Sequence, residues 1–206
     1  KSLIMEIQTG NINIIIFFIT IAISLIAIYF KPAIIEKFSL SPWKVIYEKK
    51  WYLTITSGFL HADIFHLIFN MWTFWFFCQA LEMYAGTFSF LVIYFGSMIL
   101  SDVTTIIKQK DNYGYKSLGA SGAISGALFS LILFEPFQLY YVMFIPFGIP
   151  AVLFAILYLA YCYYAARHSQ DNINHEAHFW GALAGIVLTI LLKPNIIESF
   201  LYKIFN

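Results

Sequence analysis

The sequence predicts an all-α membrane protein, a bundle of six transmembrane helices. Three observations carry this expectation. Of the 206 residues, 61% are hydrophobic and only 11% are charged, whereas about a quarter of the residues of an ordinary soluble domain are charged. The apolar residues gather into six long runs instead of alternating with polar ones. Each run approaches the roughly 20 residues that a helix needs to cross a bilayer.

The runs lie near residues 11–30, 59–81, 85–106, 118–134, 146–166 and 177–193. The first is stopped by Lys31-Pro32; it is long for a secretory signal and has no small-residue cleavage site. The second and third are separated by Glu82, and the third ends at Lys108 with Asp102 near its end. The fourth opens on Gly119-Ala120-Ser121-Gly122 and meets no charge until Glu135. Pro146, Gly148 and Pro150 mark the start of the fifth. The sixth is short, which suits a tilted helix. The longest loop, 31–57, carries Pro32, Pro42, Trp43, Trp51 and Tyr52, residues suited to lying at the membrane interface. With no repeat, low-complexity stretch or soluble segment, residues 1–206 read as one transmembrane domain.

Several classes are excluded by composition. A net charge of +1 without a basic patch gives nucleic acid nothing to bind. Cys78 and Cys162 both sit in apolar runs and are expected to pack, with no disulfide and no metal. His175-Glu176-Ala177-His178 has one residue between Glu and the second His where a zinc helix needs two. No cofactor motif is present.

Helix parity then brings scattered residues together. In a six-helix bundle the second, fourth and sixth helices start on the same side. Those starts hold "HADIFHLIFN" with His61, His66 and Asn70, "GASGA" with Ser121, and "HEAHFWGALAG" with His178. His66 and Asn70, four apart, share a helix face. His178, Gly181 and Gly185 share another, and glycines on a face let helices approach closely. Gly122 and Gly126 offer the same on the fourth helix. Ser121 and His178 can thereby come within hydrogen-bond reach, the minimum for nucleophilic catalysis with a general base. Unpaired N–H groups at the start of the fourth helix can hold an oxyanion, with His66 and Asn70 adding side-chain donors. Asp63 and Glu176 are expected to face solvent, so the pattern reads as a dyad without an acid.

These three segments resemble the rhomboid family of intramembrane serine proteases, which shows H-x4-H-x3-N on its second helix, G-x-S-G on its fourth and A-H-x2-G-x3-G on its sixth. Glu82 to Gly86 resembles the turn that follows the family's second helix. The resemblance runs from about Trp51 to Gly185, in order and spacing. It implies a rhomboid-like bundle in which Ser121 is the nucleophile and His178 the base. His66, Asn70 and the Ser121 backbone would form the oxyanion site. His61, Gly119, Gly122, Gly181 and Gly185 would be structural neighbours. Implied substrates are single-span membrane proteins cut in or near the lipid bilayer, with no metal or other cofactor, and the implied location is a bacterial inner membrane. No oligomeric state is specified. Two positions depart from the family pattern. Leu53 follows Trp51-Tyr52 where Trp-Arg is frequent, and Ser125 stands four residues after the nucleophile where many members carry an aromatic that packs on the histidine. Phe179 or Trp180 is the expected substitute.

Taken singly, each polar residue also has a plain structural reading: Ser121 as a small packing residue, His66 and Asn70 as interhelical hydrogen bonders, His178 as a relay group. Their coincidence at one depth favours the catalytic reading. The competing class is a rhomboid-like pseudoprotease that binds membrane clients without cutting them. A small transporter is disfavoured, because no charge is expected well inside helices two to six. Residues 167–176 and the end of the fifth helix are expected to form a gate, testable by cross-linking Asn172. Loops one, three and five carry nine Lys/Arg against three on the other side, which places the active-site ends in the cytoplasm by the positive-inside rule. The resemblance implies the opposite face, and that orientation is adopted.

Overall fold

The computed structural model describes residues 11–141, 146–171 and 173–206. The described residues are mostly helical. Helix α1 (Ile12–Leu25) continues as a wider π-helical turn over Ile26–Phe30. Three short helices follow in the first loop: α2 (Ala33–Phe38), α3 (Pro42–Tyr47) and α4 (Leu53–Thr56). Then come α5 (Ile64–Ala85), α6 (Thr87–Gln109), α7 (Ser121–Phe134), α8 (Ala151–His168), α9 (His175–Leu192) and α10 (Ile196–Phe205). A two-residue antiparallel pair, β1 (Leu139–Tyr140) with β2 (Ile149–Pro150), closes the connection before α8.

Among the described residues, four helices are long and apolar enough to cross a membrane: residues 12–30, α5, α6 and α9. The six expected runs therefore divide into four such helices and two others. Helix α7 is apolar but only 14 residues long, about 21 Å at 1.5 Å per residue, against about 30 Å of hydrocarbon. Helix α8 has 18 residues but interleaves Tyr158, Tyr161, Tyr163, Tyr164 and Arg167 with its apolar ones.

The boundaries move for local reasons. Helix α5 starts five residues later than expected because Asp63 caps it, accepting from the His66 N–H at 2.8 Å. His61 therefore precedes the helix. Helix α7 starts at Ser121, since Gly119 at φ +124° cannot be helical. Helix α8 starts only after Pro150, whose ψ of 137° is extended, and the residue before a proline avoids the helical region. Asn174 caps α9, accepting from Ala177 N–H at 3.0 Å, so His175 becomes its first residue. Helix α6 runs on to Gln109, which moves Asp102 inward. The expectation that helices two to six carry no acidic residue well inside is corrected at Asp102, seven residues from the end of α6 and 8% exposed; Glu82 is 1% exposed but stands only three residues from the end of α5.

The core lies between α5, α6 and α7, around Phe74, Phe90, Ile93 and Tyr94, with Ile16 of α1 packed on its flank. Helix α7 is central, with every residue from Gly122 to Ile132 buried. The first loop is tied to the turn before α7 by paired backbone hydrogen bonds between Leu40 and Ser117. Cys78 and Cys162 are buried and free.

Candidate active site

The site is built on the close approach of α7 to α9. A methyl group added at Gly181 would collide with the Gly122 carbonyl, and one at Gly185 with the Gly126 carbonyl. The two backbones touch, so no side chain larger than hydrogen fits between them. Further along, the Thr189 hydroxyl donates to Ser130 Oγ at 2.7 Å, holding the same pair of helices. Asn174 fixes the start of α9 from the other side, donating to Thr105 Oγ1 at 3.0 Å and Ser117 Oγ at 3.4 Å.

At the mouth of this helix pair Ser121 Oγ lies 2.7 Å from His178 Nε2. Ser121 is the first residue of α7, where the leading N–H groups have no intrahelical partner. Just before it, Gly119 donates its N–H to Ser57 O at 3.0 Å. A Cβ on Gly119 would come within 2.9 Å of His66 Nε2 and about 4.0 Å of Ser121 Oγ. Glycine is needed there for its positive φ and for the approach of the His66 ring. Ser121, His178 and His66 thus converge.

Two other expected residues stand one layer behind. The Asn70 amide donates to the His66 carbonyl at 3.0 Å, and its Oδ1 is buried without a partner. One of its two N–H groups remains for the site. His61 is fully buried. Its Nδ1 lies 2.9 Å from Ser24 Oγ, and the single Ser24 hydroxyl hydrogen goes to the Phe59 carbonyl at 2.9 Å. Nδ1 must then be the donor, and His61 Nε2 is left buried and unpartnered. The His61 ring meets that of His66 edge-on at 4.9 Å. His61 therefore supports His66 and ties α1 to the mouth of α5. Ser24 does not stand out in the sequence; a serine in an apolar span has many packing roles, and only the fold pairs it with His61.

No carboxylate reaches His178 among the described residues. Asp63 is spent on its cap, Glu176 pairs with Lys108, and Asp171 lies 3.1–3.2 Å from His175 Nε2. The Asp171 carboxyl is held well below the usual range, at about 2, first by the Ser169 hydroxyl at 2.6 Å and then by the His175 ring. Ser125 engages Tyr158 of α8 at 2.9 Å between hydroxyls. The expectation that Phe179 or Trp180 packs on His178 is corrected. Phe179 meets Tyr163 and Trp180, and the aromatic ring beside His178 is that of His175. Asn172, named for the gate, lies outside the described residues.

With this geometry established, comparison with known proteins identifies the class. A model described as the rhomboid domain matches residues 48–195. The chain is 33% identical over 149 residues to YdcA of Bacillus subtilis, covering 69% of this chain and 67% of that one. It is 28% identical over 141 residues to the rhomboid protease GluP of the same organism, covering 68% of this chain but 26% of GluP. Over 149 residues it is 28% identical to the mitochondrial RHOMBOID-like protein 12 of Arabidopsis thaliana, covering 65% and 44% respectively. The chain belongs to the rhomboid family, and it is an integral membrane protein.

Proposed function

We propose that this protein is an intramembrane serine endopeptidase working through a Ser121–His178 dyad. The observation that carries the reading is the 2.7 Å contact between Ser121 Oγ and His178 Nε2 at the unpaired start of α7, with His66 alongside. His178 Nε2 accepts the Ser121 proton as Oγ attacks the scissile carbonyl carbon. The oxyanion is held by the Ser121 N–H and by donors from His66 and Asn70. His178 returns the proton to the departing amine, leaving an acyl-Ser121 ester. Water, deprotonated by His178, then releases the acid and restores the serine.

In the bilayer, residues 1–206 form a single six-span domain in which α7 and α8 complete the four longer helices. Because α7 is shorter than the hydrocarbon is thick, its start opens below the membrane surface, where a helical substrate can be cut. Substrates are single-span membrane proteins, and the location is a bacterial cell membrane with the site facing outward. The test is cleavage of single-span substrates by the protein in liposomes, with products mapped by mass spectrometry. Cleavage within or beside the span, lost in Ser121→Ala and His178→Ala, is expected. Stable binding of intact substrates without product across a varied panel would favour the client-binding pseudoprotease. Reporter fusions to the loops test the orientation.

A further inference from the structure

The dyad leaves one question open in physical terms: what orients His178. A general base must keep its accepting nitrogen on the hydroxyl, and no acid or other hydrogen-bond partner holds its Nδ1 among the described residues. Orientation therefore falls to packing.

The packing ring is His175, one turn earlier on α9. Its plane stands at 81° to that of His178, with centroids 6.0 Å apart. On α8, Tyr161 meets His175 edge-on at 5.4 Å and 89°. The Asp171 carboxylate lies 3.1–3.2 Å from Nε2. A carboxylate only accepts, so Nε2 carries the hydrogen and the flip of the ring is fixed. Nδ1 is buried with no partner, a cost that persists only where the surroundings over-determine the ring. Accordingly, we infer that His175, anchored by Asp171, is the positioning residue for His178, setting the angle at which its Nε2 meets Ser121. This rests on the dyad reading and deepens it. Asp171 acts through His175 and touches no reacting atom.

The probe is a fluorophosphonate, which needs an activated serine but no known substrate. The full chain in detergent is labelled over a range of probe concentrations, separating the limiting rate from the half-saturating concentration. In His175→Ala the limiting rate should fall about tenfold, short of the roughly hundredfold cost of a 1 Å misplacement, with half-saturation unchanged. His175→Phe keeps an edge-on ring and should recover to within about threefold of wild type by the same measure. Asp171→Ala, at an exposed position, should slow labelling about threefold and add nothing in a His175→Phe background, the mark of coupled residues. A wild-type limiting rate in His175→Ala, or additive effects in the double variant, overturns the inference. If His175→Ala does not fold, Asp171→Ala alone and combined with His175→Phe decides. The dyad reading fails differently: folded wild-type protein then takes no probe on Ser121 at all, and the inference falls with it.

Discussion

Two buried polar clusters sit at opposite ends of α5, and they differ in one respect. Around Glu82, near the C-terminal end, every acceptor is matched. Oε2 accepts the Asn13 backbone N–H at 2.9 Å and the Asn13 side-chain amide, and Oε1 accepts the Thr87 hydroxyl at 2.7 Å. Around the N-terminal end, His61 Nε2 and Asn70 Oδ1 are buried with no partner, as is His175 Nδ1 across the site. A satisfied cluster rigidifies a fold, whereas unsatisfied buried groups are costly and ask for another explanation. The Glu82 cluster clamps α1 to the α5–α6 turn. The other end keeps three buried acceptors unanswered beside the site, while the donors an oxyanion needs are the Ser121 N–H, His66 and the remaining Asn70 N–H.

The comparison breaks most directly at the dyad. Ser121→Ala and His178→Ala should each lower cleavage by at least about 10³-fold, the scale of losing a nucleophile or its base, while the melting temperature stays near that of wild type. At the opposite end, Glu82→Ala should do the reverse. It leaves the Asn13 and Thr87 donors unanswered and costs about 1–3 kcal/mol, as for buried groups left without a partner. Labelling per folded molecule should not change. Equal effects of both substitutions on the chemistry would erase the distinction.

Smaller substitutions sharpen it. Gly181→Val pushes against the Gly122 backbone and should destabilise by about 1–3 kcal/mol, as overpacking does, while also slowing labelling because His178 rides on the same helix. Ser24→Ala removes the acceptor for His61 Nδ1 and should cost about 1 kcal/mol, readable as a lower melting temperature. The smallest effect concerns pH. A depressed carboxylate contributes stability above its unfolded pKa, about 3.9, and loses it as pH falls through its folded value, about 2 for Asp171. Asp171→Asn should therefore follow the wild-type stability profile in shape from pH 8 to 5 and diverge only below about 4.

The parts legible in the sequence share a cause. His66, Asn70, Ser121 and His178 stand out because polar groups in apolar runs are expensive, and helical spacing puts Gly181 and Gly185 on the face of His178. Their convergence followed from parity. What escaped depends on the tertiary structure. Proline and capping effects delayed α8 and α5, whose apolar runs hid the boundaries. The first loop folds into α2, α3 and α4, each too short to show a period. Helix α10 is a ten-residue amphipathic segment that a search for 20-residue spans passes over; Lys203 on it reaches back to the Phe134 carbonyl at 2.7 Å and Glu135 at 3.0 Å. A positioning role for His175 does not show in the sequence, because its partners Asp171 and Tyr161 approach it from a loop and from another helix.

The most direct test of the central claim is the mass of the purified protein after fluorophosphonate treatment in detergent, with the adduct located by peptide mapping. One adduct on Ser121, absent from Ser121→Ala and from His178→Ala, is the predicted result. Folded wild-type protein that carries no adduct, and cuts no single-span substrate in liposomes, would contradict it.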